Sequence, residues 1–139
     1  MRPKYFSILI LTIIAAITVI LISGCQAGKS PYDTDVESVI EMLNSDNRPV
    51  IIDVRTRQEF VGNLGHIPGA RLISLISLKD SIDVFKEYEG RDIIMVCRSG
   101  NRSGRATKIL RENGFENVYN LAGGMKRWNK LGGENSKAN

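Results

Sequence analysis

Ile93-Ile94-Met95-Val96-Cys97-Arg98-Ser99-Gly100-Asn101-Arg102-Ser103-Gly104-Arg105-Ala106 reads as a buried strand, a short polar loop and the start of a helix. An unbroken apolar run of this length suits a strand covered on both faces. The residues that follow Cys97 are small or cationic. A helix over 103–113 then presents Ala106, Ile109 and Leu110 on one side and stops at Gly114 as a C-cap. Free amides at a helix N-terminus hold anions, and the same field favours a thiolate over a thiol. Cys97 is therefore expected to be a nucleophile in an anion-binding cradle formed by Arg98, Ser99, Gly100, Asn101, Arg102 and Ser103. The plainer alternative is a small core residue at a strand end. Its polar, glycine-containing, doubly cationic sequel argues against that.

Working outward, Thr34-Asp35-Val36-Glu37 fits a capping box, with Val36, Val39, Ile40 and Leu43 on one face of the helix behind it. Val50 to Val54 is a β-branched apolar run, read as a parallel strand. Thr56-Arg57-Gln58-Glu59 repeats the capping-box pattern and opens a short helix through Phe60 and Val61. A loop over 62–69 holds the only histidine, His66. Arg71-Leu72-Ile73 is a further strand, and 81–88 a helix with Ile82 and Phe85 inward. Strands over 92–96 and 117–121 follow, and Gly123-Gly124 leads to a short helix carrying Met125 and Trp128. Strands alternating with helices imply an α/β fold, a twisted parallel sheet covered on both faces.

The chain has 139 residues, room for one domain. Its boundaries are expected at 1–24 for an export segment, 25–33 for a tether, 34–133 for the fold and 134–139 for a polar tail. A domain of this size buries roughly two-thirds of its unfolded surface without staples. The formal charge of +4 includes Arg2 and Lys4, so the part beyond residue 24 is only weakly basic. That excludes a nucleic-acid footprint, which needs a concentrated basic face. Two cysteines, Cys25 and Cys97, make neither a disulfide framework nor a paired metal site. Gly28-Lys29-Ser30 imitates the end of a phosphate-binding loop, but Ser23 stands where its first glycine belongs.

Met1-Arg2-Pro3-Lys4 is a basic start, and Tyr5 to Ile22 carries no charge. Ile22-Ser23-Gly24-Cys25 resembles the lipobox of bacterial lipoproteins, in which the cysteine receives the lipid. An uncleaved signal anchor is the rival reading, because the apolar run is just long enough to span a bilayer. Both readings tether the domain on the extracytoplasmic side, since basic residues precede the apolar run and acids follow it.

Three blocks then resemble the rhodanese-like family of sulfurtransferase domains. They are Ile51-Ile52-Asp53-Val54-Arg55 with Glu59-Phe60 and Gly65-His66-Ile67-Pro68-Gly69-Ala70; Val96-Cys97-Arg98-Ser99-Gly100-Asn101-Arg102-Ser103; and Leu121-Ala122-Gly123-Gly124-Met125 with Trp128. Val61-Gly62-Asn63-Leu64 lengthens one loop relative to many members. The resemblance implies a parallel sheet of about five strands and a ping-pong reaction without metal or cofactor. A cysteine takes sulfane sulfur from a donor such as thiosulfate, and a thiophilic acceptor, cyanide or a thiol, removes it. It also implies a six-residue cradle from Cys97 to Arg102, whereas related phosphatases separate cysteine and arginine by five residues; that spacing lands here on Ser103. His66 is expected to fix its loop, and Asp53 and Arg55 to form a structural pair. Two functions stay open: a tethered sulfurtransferase serving a small donor and acceptor or a protein acceptor, and a non-turnover sulfur-carrier, redox-sensing or binding module. With Cys25 lipidated, Cys97 would have no resolving thiol within the chain.

Overall fold

In the computed structural model, residues 30–132 are described. The expected export segment, Cys25 and the expected 134–139 tail lie outside them. Five strands form one parallel sheet in the order β1-β5-β4-β2-β3. They are β1 (Asp33–Thr34), β2 (Val50–Asp53), β3 (Arg71–Leu72), β4 (Ile93–Val96) and β5 (Val118–Leu121). Four α-helices accompany them: α1 (Val36–Leu43), α2 (Arg57–Phe60), α3 (Asn101–Glu112) and α4 (Gly124–Leu131). A 3₁₀ helix spans Leu78–Tyr88.

β2 and β4 lie side by side at the centre, with every residue of both buried. Successive side chains of a strand point to opposite faces, so each strand serves two cores. Ile52, Ile93 and Met95 join Leu110 of α3 and Phe85 of the 3₁₀ helix on one face. Ile51, Ile94 and Val96 join Val39 of α1 and Trp128 of α4 on the other. Cys97 continues the alternation onto the α3 face. The strand's own pleat thus aims the sulfur at the start of α3.

Besides one-residue shifts at the ends of the strands and of α2, three elements differ from the sequence reading. Asp35, not Thr34, caps α1, its Oδ1 accepting the Ser38 N–H at 2.9 Å. Thr34 belongs to β1, opposite Leu121, and its carbonyl accepts the Ala122 N–H at 2.9 Å. Helix α3 starts at Asn101, two residues before the expected start, because Gly100 adopts φ 94° and its carbonyl takes the Gly104 N–H at 2.9 Å. The expected helix over 81–88 is a longer 3₁₀ helix. Ile82, Phe85 and Tyr88 recur every third residue, and three residues per turn is the spacing that stacks them on one side.

Candidate active site

The site lies at the C-terminal ends of β4 and β2, where the loop Cys97 to Gly100 turns into α3. Crevices beyond the carboxyl ends of parallel strands are where open α/β sheets bind ligands. Cys97 is a free thiol and is only 1% exposed. Its Sγ accepts the Gly100 N–H at 3.1 Å and lies 3.2 Å from the Ser103 hydroxyl. Burial pushes the thiol up, but the Ser103 hydroxyl and the backbone amides of Ser103, Ser99 and Gly100 outweigh it, so the pKa is lowered. The loop therefore favours a thiolate without a neighbouring base.

The loop is held from behind by the last helix. Its amides donate to the loop carbonyls, Met125 N–H to Cys97 at 2.8 Å and Lys126 N–H to Arg98 at 3.0 Å. Only glycine fits at position 124, where a Cβ would sit 2.3 Å from the Cys97 carbonyl oxygen. The third sequence block, Leu121 to Met125, thus has a physical reason: it is the clamp on the Cys97 carbonyl.

The expected cradle residues divide. Gly100 and Ser103 touch the sulfur, and the Ser99 amide faces it. Asn101 and the side chains of Arg98 and Ser99 are exposed. Arg98 borders a cavity of about 210 Å³ with Arg55, Glu59, Gly62, Asn63 and Leu64. Arg102 is gripped by Glu59 through two hydrogen bonds, Nη1 to Oε2 at 2.8 Å and Nη2 to Oε1 at 2.6 Å. This pairing, with the Thr56 capping bonds, holds the Glu59 carboxyl down at about 2 despite some desolvation. Glu59 also completes the capping box of α2 with Thr56. Its part as the Arg102 partner was missed from sequence, although the box itself was read.

Asp53 and Arg55 form the buried pair expected of them. Arg55 Nη2 lies 2.7 Å from Asp53 Oδ2, and the guanidinium also donates to the carbonyls of Glu59 and Gly65. Arg55 thereby fixes the α2 segment that carries Glu59. His66 stacks on Phe60 at 3.8 Å, with Nδ1 3.2 Å from the Phe60 carbonyl, which pins the loop beside it. Among the described residues, no cluster of three or more His, Cys, Asp or Glu side chains is placed to hold a metal ion.

With this geometry in hand, the likenesses to known proteins take on meaning. A family model for the rhodanese-like domain matches residues 35–131. The Bacillus subtilis protein YqhL is 44% identical over 78 residues, covering 56% of this chain and 59% of that protein. The adenylyltransferase and sulfurtransferase uba4 of Ogataea parapolymorpha is 33% identical over 108 residues, 74% of this chain but 26% of that protein. The crystal structure of Staphylococcus saprophyticus SSP1007 superposes with a TM-score of 0.63 at 32% identity, covering 72% of this chain and 95% of that one.

Proposed function

The chain belongs to the rhodanese-like domain family, and from that premise we propose that it is a sulfurtransferase with Cys97 as its nucleophile. The observation that carries this is the Gly100 N–H at 3.1 Å from Sγ, in a loop that lowers the thiol's pKa. The thiolate attacks the outer sulfur of thiosulfate. The sulfur–sulfur bond breaks, and its electron pair leaves with sulfite. The charge now sits on the terminal persulfide sulfur, within reach of the loop's inward amides and the positive end of α3. An acceptor such as cyanide or a thiolate then attacks that terminal sulfur, and the pair returns to Sγ. Arg98, within the loop, and Arg102, oriented by Glu59, supply positive charge for the anionic donor.

Thiocyanate formation from thiosulfate and cyanide tests the reading. The chain should turn over, and Cys97→Ser should abolish it. Activity surviving in Cys97→Ser would overturn the nucleophile. One sulfur added to Cys97 by thiosulfate, without thiocyanate release, would instead identify a carrier.

The same proposal includes a lipid anchor on Cys25 and an extracytoplasmic domain, supported by Ile22-Ser23-Gly24-Cys25 and the charge balance around the apolar run. Metabolic labelling with an alkyne fatty acid should mark the full chain and fail on Cys25→Ala. Equal labelling of both would remove the anchor from the account.

A further inference from the structure

A polar chain leads from Cys97 through buried Ser103 and Asn120 to Asp33 on the edge strand. Ser103, buried on α3, has its Oγ 3.2 Å from Cys97 Sγ, 3.2 Å from the Gly100 carbonyl and 2.6 Å from Asn120 Oδ1. Asn120, on β5, donates from Nδ2 to Asp33 Oδ1 at 2.7 Å. Asp33 is its register partner on the edge strand β1. Gly104 packs beside the amide, where a Cβ would make ordinary contact with Nδ2 at 3.4 Å.

Hydrogen counting gives this chain a direction. An ionised carboxylate only accepts, so Asp33 admits one orientation of the Asn120 amide, nitrogen outward and oxygen toward Ser103. The Ser103 hydroxyl has one proton and three acceptors in range, Asn120 Oδ1, by far the nearest at 2.6 Å, and the Gly100 carbonyl and Sγ, each at 3.2 Å. With a neutral thiol, S–H donates to Oγ and the hydroxyl donates to Asn120. With a thiolate, the hydroxyl must turn to the sulfur and give up Asn120.

We propose that Asp33 and Asn120 are positioning residues that make the Ser103 hydroxyl a two-position donor, held off the sulfur until Sγ carries charge. The consequence for sulfur transfer rests on the function proposed above. In the persulfide, Sγ has neither charge nor hydrogen, and the hydroxyl stays with Asn120. When an acceptor attacks the terminal sulfur, the breaking bond returns its pair to Sγ, and the hydroxyl swings to stabilise that leaving thiolate. Asn120 thus competes with the sulfur for the proton, and Asp33 enforces the competition.

Other charges lie around the loop. Arg98 adjoins Cys97 in the loop, Arg102 is paired with Glu59 from α2, Asp53 is paired with Arg55 at the end of β2, and Lys126 and Arg127 begin the exposed side of α4. They act through charge alone, which distinguishes them from a device that works only through Ser103.

The test reads the thiol directly and needs no sulfur donor, so it stands or falls apart from the activity. Iodoacetamide alkylation of Cys97 would be followed from pH 5 to 9 in the full chain. Asp33→Asn lets the Asn120 amide turn over and frees the hydroxyl for the sulfur. The profile should move to lower pH, with alkylation on its acidic limb about three- to tenfold faster, the equivalent of one hydrogen bond. Asn120→Leu should act in the same sense with no change of charge. Ser103→Ala should move the profile to higher pH, and in that background Asp33→Asn should have no further effect. An Asp33→Asn profile that is unchanged or moved upward, or an acceleration that survives in Ser103→Ala, overturns the proposal.

Discussion

Helices α3 and α4 begin alike and do different work. Each follows a neighbouring central strand, β4 or β5, and each is entered through a left-handed glycine, Gly100 at φ 94° and Gly123 at φ 82°. Neither glycine can offer a side-chain cap, so both helices have amides to give. The last helix gives its amides to the protein, to the carbonyls of Cys97 and Arg98. At α3 the cap amide, that of Gly100, goes to the Cys97 sulfur, a place a capping side chain would contest. One device is therefore used twice, once to fix the loop and once to charge it. Stability should depend on the first use and reactivity on the second.

The strongest way to break the pair is Gly124→Ala. A Cβ there would lie 2.3 Å from the Cys97 carbonyl and 2.8 Å from Ser99 N, at a residue with φ +54°. The backbone of the loop has to move. We expect a loss of more than about 3 kcal/mol in urea denaturation, with activity lost as well. Gly100→Ala is the milder counterpart. Its Cβ would meet Gly123 N at 3.0 Å, and φ +94° disfavours any side chain. A loss of about 1–2 kcal/mol is expected, together with roughly tenfold slower alkylation of Cys97, as one charge-directed hydrogen bond is misaligned. Equal ratios of stability loss to reactivity loss in the two variants would erase the distinction between the helices.

The contrast also explains what the sequence disclosed. Strand, loop and helix around Cys97 are contiguous, and their patterns are local, so the cysteine and the amides that face its sulfur could be read in order. The buried runs of β2 and β4 were legible for the same reason, and Gly123-Gly124 stood out through its block. Pairings across the fold were not. Arg102 and Glu59 are 43 residues apart, and Asn120 and Asp33 are 87 apart. No periodicity connects such positions. Strand β1 is two residues long, too short for an alternation, and Thr34 imitates a helix cap because its side chain suits that role. The 3₁₀ helix was placed but mistyped, since apolar residues three apart also fit part of an α-helical stripe.

The charging end can be tested through pH. Cys97 has its pKa lowered in the fold, first against burial and then through Ser103 and the loop amides. A depressed acid adds stability above its unfolded pKa, about 8.5 for a thiol, and that gain is lost as pH falls through the folded value. Wild type should therefore gain on Cys97→Ser as pH rises toward about 8.5 and hold level beyond it. The effect should be smaller than that of either glycine substitution. A difference between the two proteins that stays flat from pH 5 to 9 would mean that the α3 end does not charge the sulfur.

The smallest effect concerns the charge that α3 borrows. Its first turn contains no acid of its own, whereas Arg102 in that turn binds Glu59 of α2. The Glu59 carboxyl is lowered from 4.5 to about 2, chiefly by its hydrogen bonds to Arg102. The stabilisation is thus present above about 4.5 and is lost as pH falls toward 2. Both side chains are about 30% exposed, so solvent screens the pair well below its formal value. Glu59→Gln should cost about 1 kcal/mol at pH 7 in urea denaturation, and the gap from wild type should close in acid over that window. Because Arg102 would lose its orientation while the sulfur kept the Gly100 amide, the variant should raise KM for thiosulfate and leave the alkylation profile of Cys97 in place. A Glu59→Gln protein that moved that profile as far as Gly100→Ala would show that the pair charges the sulfur itself, and that α3 cannot do so without α2, whereas α4 fixes the loop unaided.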